Sequence, residues 1–213
     1  MPKRPGETDM REQILQVAKT DFLEKGYEKT SVRSLASKLD LSAPALYWHF
    51  ENKEALLDAL VAPLTSAIMA YSQKKEGQDL DVLATAEEAV PAESSLDDIW
   101  DAGFYPYLLD LVYSDLDTAR LLFVCSKGSR YEHFFDELIL EATQATFQYL
   151  ERARKAGIPV NAVDAEDLHI FMSLYYDSML EPVRRHYTRP EAERYLKEHE
   201  RFFIQGWRSY LNI

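Results

Sequence analysis

Apolar residues recur every three or four positions along most of this chain and rarely at every second one, which is the period of helices and not of strands. Ile14, Leu15, Ala18 and Phe22 form one stripe that stops at Gly26, so a helix is predicted over about 9–25. Val32, Leu35, Ala36 and Leu39 form a second, short stripe, with Thr30 or Ser31 available as its cap. After Asp40 and Leu41, Ser42 can cap a third helix, and Pro44 falls in its first turn, where a missing N–H costs nothing. Asn52 caps a long fourth helix that opens Lys53-Glu54-Ala55-Leu56-Leu57. Residues 76–95 turn acidic and lose their large apolar side chains, which predicts a loop or mobile connection. Helical spacing resumes over 96–113, with Pro106 as a kink, then over 116–125, over 131–155 up to Gly157 and Pro159, over about 163–187, and over 190–211. The fold class is all-α: an N-terminal three-helix domain over 1–52 and a larger helical bundle over 53–213.

The second and third helices are short and are joined by about three residues, the spacing of a helix-turn-helix, whose second helix enters the major groove of DNA. Leu39, Leu41, Leu46 and Phe50 can pack inward, leaving Tyr47, Trp48 and His49 on a small helix whose remaining surface is polar. Charge qualifies the picture. The chain carries a net charge of -12, unfavourable for a phosphate partner. Residues 1–60, however, hold nine Lys/Arg against ten Asp/Glu, while the rest hold fifteen against twenty-six. Within 29–53, Lys29, Arg33, Lys38 and Lys53 outnumber Asp40 and Glu51, so this stretch is the candidate phosphate-facing surface, Lys38 being expected to be mainly solvated.

The run Leu41-Ser42-Ala43-Pro44-Ala45-Leu46-Tyr47-Trp48-His49-Phe50-Glu51-Asn52-Lys53-Glu54-Ala55-Leu56-Leu57, preceded by Thr30-Ser31-Val32-Arg33-Ser34-Leu35-Ala36, resembles the DNA-binding domain of the TetR family of repressors. Within that family, Tyr47-Trp48-His49 with Asn52 and Lys53 is similar to the tetracycline repressors. The resemblance covers about residues 10–60. It implies that Arg33 reads a base, that the face from Ser42 through Ala43, Pro44 and Ala45 to Tyr47 enters the groove, and that Ser31, Tyr47, His49 and Lys53 hold phosphates. Trp48 would pack at the rim, and Lys3 and Arg4 could add a basic arm. The chemistry agrees, because an arginine fork matches guanine O6 and N7, while hydroxyl, imidazole and ammonium donors suit phosphate oxygens. Two departures matter. Ala43 and Ala45 stand where tetracycline repressors carry polar base readers; alanines touch thymine methyls but donate no hydrogen bond, so the operator should differ. Asp40 replaces a turn glycine, which is tolerable because Asp visits left-handed backbone. A histidine late in the fourth helix, which helps hold the drug in tetracycline repressors, is Met69 here, so tetracycline is not the expected ligand.

The penultimate helix carries apolar residues on nearly every face, including Ile170, Phe171, Leu174, Tyr175 and Met179, and the last repeats the pattern with Phe202, Phe203, Trp207 and Tyr210. Both therefore need burial on two sides, and pairing of these two helices between subunits would supply it, as the family resemblance also implies. Trp100, Phe104, Tyr107, Phe123, Phe134 and Tyr175 are the candidate lining of a pocket for a small apolar or aromatic effector, with Asp101, Asp110 or Asp177 as counter-charges should the ligand be a cation.

The remaining chemistry narrows the function by exclusion. A lone Cys125 rules out an internal disulfide and a cysteine-built zinc site and suits a reducing compartment. The five histidines lack i,i+4 spacing, and there is no Ser-His-Asp set, P-loop or glycine-rich fingerprint, so neither a metal, a cofactor nor catalysis is expected. No apolar leader follows Lys3 and Arg4, and no run approaches the length of uninterrupted apolar residues that spans a bilayer, so a cytoplasmic protein is expected. The expectation is a homodimeric repressor on a palindromic operator, released by an effector. The alternatives are a regulator without effector and with a solid C-terminal core, and a helical ligand-binding protein that does not bind DNA.

Overall fold

The computed structural model describes residues 5–86 and 104–212, with side chains over 9–72 and 105–212. Among the described residues there are ten helices and no strand: α1 (Pro5–Lys25), α2 (Val32–Lys38), α3 (Ala43–Tyr47), α4 (Lys53–Ala86), α5 (Phe104–Ser114), α6 (Leu116–Phe123), α7 (Phe134–Lys155), α8 (Ala165–Met179), α9 (Glu181–Arg184) and α10 (Arg189–Leu211). Lys3, Arg4, Trp100, Asp101 and residues 87–95 of the expected loop lie outside the described residues, as does the side chain of Phe104.

Three expectations are corrected. α4 continues to Ala86, eleven residues into the expected loop, because acidic and small residues are adequate helix formers and a single glycine there costs only about 1 kcal/mol. Pro106 lies in the first described turn of α5 and does not interrupt it. The expected helix over 163–187 breaks at Leu180: Pro182 has no N–H to continue the ladder, so α8 ends at Met179 and α9 is a separate turn.

Packing divides the chain into two units, Met1–Ser66 with Asp115–Phe134, and Ala67–Ser114 with Phe135–Ile213. In the first, Ile14, Phe22, Leu35, Leu46, Leu56 and Leu121 are fully buried, so α1, α2, α3, α4 and α6 share one core. Beneath it lies a polar strap. The Asp21 carboxylate on α1 has no exposed surface and binds Lys25 at 3.0 Å and Lys38 of α2. Burial pushes its pKa up, but the hydrogen bonds from Lys38 and Lys25 outweigh that and hold it below the usual value. Lys38 is thus a tie between α1 and α2, contrary to the solvated role expected of it. The first part of α4, Lys53–Ser72, reaches a mean hydropathy of 1.4 and is long and apolar enough to cross a bilayer. Its Leu56, Leu57 and Val61, however, are buried in this core.

The second unit is built on Leu109, Leu150, Leu168, Met172, Leu196 and Leu211. α10 starts with the Glu191 carboxylate accepting from the Thr188 N–H at 2.8 Å and its hydroxyl at 2.7 Å. Within the apolar core sits one polar chain. Ser178 Oγ donates to the Leu174 carbonyl at 2.7 Å, so His199 Nε2–H is the donor in its contacts with Ser178 Oγ (2.7 Å) and the Tyr175 carbonyl (3.1 Å). Nδ1 then accepts from the Tyr105 hydroxyl at 2.9 Å. Burial lowers the His199 pKa to about 4 from its ordinary 6.5. The unfolded chain takes up this proton below pH 6.5 and the folded chain only near pH 4, so the stability of the neutral ring is complete above pH 6.5 and is lost as pH falls towards 4. Urea titrations should therefore show about 3 kcal/mol of stability lost over that interval, and His199→Gln should remove this part of the pH dependence.

Candidate nucleic-acid interface

Local signals build the two short helices. Ser31 is extended (φ -114°, ψ 144°) and its Oγ accepts from Ser34 N at 3.2 Å; Ser42 (φ -76°, ψ 153°) does the same for Ala45 N at 3.3 Å. Between them the chain reverses at Asp40, in left-handed backbone with φ 53°, and Leu41 N returns to the Ala36 carbonyl at 2.9 Å. Asn52 Oδ1 accepts from Ala55 N at 2.8 Å and starts α4. Leu46 and Phe50 are buried, whereas Leu39 and Leu41 are only half-buried.

On the outer side, Ser31, Arg33, Ser42 and Pro44 are exposed, and Ala43, Ala45 and His49 are half-buried. Tyr47 is 48% exposed and Trp48 90% exposed. An indole so open contributes nothing to the core of this chain. Arg33 makes no hydrogen bond or ion pair among the described residues. Lys53 behaves differently. Its ammonium donates to the Tyr27 carbonyl at 2.8 Å and the Thr30 carbonyl at 3.1 Å and lies 3.9 Å from the Tyr27 ring centroid, and burial lowers its pKa. Two of its three N–H donors are spent inside the protein.

Residues that sequence reasoning passed over hold this surface in place. Arg11 of α1 donates to the His49 carbonyl at 2.8 Å and stacks 4.0 Å above the Phe50 ring, clamping the C-terminal end of α3. Tyr27, in the α1–α2 turn, gives its N–H to the Cys125 carbonyl at 2.9 Å and its hydroxyl to Glu54 at 2.6 Å. Glu54 also accepts from Arg130 N at 2.9 Å, and the Arg130 guanidinium pairs with Asp58 at 2.8 Å. Gly128 is required in this segment twice over: its φ is +81°, and a Cβ there would come within 3.3 Å of the Glu28 Cβ. None of these contacts has a local sequence signal, since each joins residues at least 26 positions apart.

Of the six candidate pocket residues, Trp100 and the side chain of Phe104 lie outside the described residues. Phe123 and Phe134 belong to the first unit, Tyr107 and Tyr175 to the second. The Tyr107 ring stacks on Tyr71 at 4.4 Å and its hydroxyl donates to the Ala67 carbonyl, while Tyr175 is buried beside His199. A cavity of about 10 Å³ in the second unit is lined by Leu108, Val112, Met179, Pro182, Val183 and neighbouring apolar side chains. Asp110 and Asp177 are bound to Arg189 and Arg184.

Comparison with known proteins bears on the same helices. Residues 14–60 match the family of bacterial regulatory proteins called tetR. The TetR family is thus shown for the N-terminal segment, residues 14–60. Its N-terminal part is 38% identical to the class C tetracycline repressor protein of Escherichia coli over 69 residues, which is 32% of each chain. The alignment thus spans about a third of the length of that relative. A transcriptional repressor of Mycobacterium tuberculosis is 26% identical over 80% of each chain. MexZ, a repressor of Pseudomonas aeruginosa, shares the fold with a TM-score of 0.51 at 21% identity, covering 95% of this chain and 94% of its own. The matched family is one of regulatory proteins.

If Arg11 fixes α3, Arg11→Ala should raise amide exchange at His49 and Phe50 about fivefold, the equivalent of roughly 1 kcal/mol, and leave α6 unchanged by hydrogen-exchange mass spectrometry.

Proposed function

We propose that the protein is a DNA-binding transcriptional repressor of the bacterial cytoplasm, acting as a homodimer on a palindromic operator. The observation that carries this reading is the exposed Tyr47–Trp48 pair beside the uncommitted Arg33, on the very helices that match the TetR family. α3 enters the major groove, with Ala43 and Ala45 against thymine methyls and Arg33 reading a guanine; Ser31, Ser42, Tyr47 and His49 meet phosphates, and Trp48 packs at the rim. Two such helices lie about 34–36 Å apart in the DNA-competent dimer, one turn of the duplex.

Pairing through α8 and α10 supports the dimer. Leu168, Met172, Tyr175 and Met179 turn one side of α8 into the core of their unit, yet Ile170, Phe171 and Leu174 stay 42–58% exposed, and Phe202 of α10 is 74% exposed. A second copy covers that face. The effector is a small apolar or aromatic molecule bound in the C-terminal unit, and it releases DNA by binding more tightly to a state whose recognition helices are out of register. Tetracycline, the ligand named for the E. coli relative, is not proposed, because Met69 replaces the expected histidine. The cavity of about 10 Å³ lined by Leu108, Val112 and Met179 holds no more than a water molecule, so an effector that uses it must widen it. The second reading is a regulator without effector, whose C-terminal core is solid.

The test is fluorescence anisotropy of the full chain on labelled DNA flanking its own gene. Arg33→Ala and Tyr47→Ala should each weaken saturable binding by tenfold or more while leaving the urea midpoint in place, about the loss expected of one base or phosphate contact. Binding that neither substitution weakens would overturn the assignment of this surface.

A further inference from the structure

The N-terminal unit contains ten lysines and arginines among its described residues, but most are already used by the protein itself. Lys25 and Lys38 neutralise Asp21, and Lys19 is bound to Asp115 at 2.8 Å. Arg120 and Arg130 pair with Asp117 and Asp58, Arg11 is fixed on His49 and Phe50, and Lys53 on two carbonyls. Only Lys29, Arg33 and Lys127 are without a hydrogen bond or ion pair among the described residues. The commitments are not all alike. Arg120 and Asp117, 3.6 Å apart, are an ordinary surface pair. Asp21, by contrast, has no exposed surface, so a phosphate that drew Lys38 away would leave a buried carboxylate short of a partner. Lys19 is 20% exposed, and its partner Asp115 also caps α6 by accepting from Thr118 N at 3.0 Å.

Resting on the operator reading above, we propose that the described part of this protein grips DNA with few ionic contacts, two per subunit from Lys29 and Lys127, or three where Arg33 also meets a phosphate beside its guanine. Neutral donors and apolar groups supply the remainder: the Ser31, Ser42 and Tyr47 hydroxyls, the alanines of α3 and the Trp48 indole. Its natural ligand is then a duplex whose bases and methyl groups are read closely and whose phosphates are only lightly neutralised. The stretch over 29–53 has a cationic excess in sequence, yet Lys38 and Lys53 are withdrawn from it by Asp21 and by the α1–α2 turn.

Each neutralised phosphate lowers the slope of log K against log salt by about 0.9, so four to six per dimer give a slope of about -4 to -5. Raising salt from 50 to 200 mM should then weaken binding by roughly 150- to 2000-fold. Were Lys38 and Lys53 also on phosphates, up to ten contacts would give a slope near -9 and a loss above 10⁵-fold. The experiment is a salt series at pH 8, using the full chain and the tightest duplex selected from random sequences. Lys29→Gln should make the slope shallower by about 2, as two contacts per dimer disappear; Lys38→Gln should lower the urea midpoint and leave the slope unchanged. A wild-type slope steeper than about -7, or a Lys38→Gln slope shallower by about 2, overturns this inference and leaves the operator reading standing. If no duplex binds saturably at any salt, the operator reading itself is overturned, and this one with it.

Discussion

α3 is five residues long, and a helix that short has no stability of its own in water, where even good helix formers need about 12–15 residues. Its existence and its aim therefore depend on what grips it. Ser42 caps its first turn, Leu46 and Phe50 bury its inner side, and Arg11 closes its far end on the His49 carbonyl. Only with all three in place can the outer side present Tyr47 and Trp48 to solvent at so little risk to the fold. An aromatic surface on a loosely held helix would collapse into the core or gather another molecule.

The same demand explains where the positive charge has gone. Holding α1, α2 and α4 around so small a helix is done largely with cations: Lys38 to Asp21, Lys53 to the α1–α2 turn, Lys19 to Asp115. Tyr27 and Glu54 then join that turn and α4 to the segment over 125–134. The scaffold consumes donors that composition alone would assign to phosphate. An acidic chain can still bind nucleic acid in this way, provided the face it offers is nearly neutral and shaped to the groove.

What was legible in the sequence was local. Ser31, Ser42 and Asn52 are caps where cap residues stand, Asp40 takes the left-handed turn, Gly26 and Gly157 end helices, and the helix-turn-helix follows from spacing plus its aromatic residues. The break at Leu180 was legible too, in Pro182, but an unbroken apolar pattern across 163–187 masked it. Arg11, Tyr27 and Asp21 could not be read, because their partners are distant in the chain and a lone polar residue on a helix carries no mark of its partner. The aromatic residues proposed to line a pocket are not legible as a set for a related reason: helical period says that a side chain faces inward, not into which of two units or against what.

The central claim is that α2 and α3 read a palindromic duplex as a symmetric pair. Selection of duplexes from a random pool by the full-length protein, followed by sequencing, tests it most directly. The account calls for enrichment of an inverted repeat whose half-sites are centred about 10 base pairs, or a multiple of that turn, apart, with thymines in each half-site where Ala43 and Ala45 lie. Enrichment of a single, non-repeated site, or none at all, would contradict it.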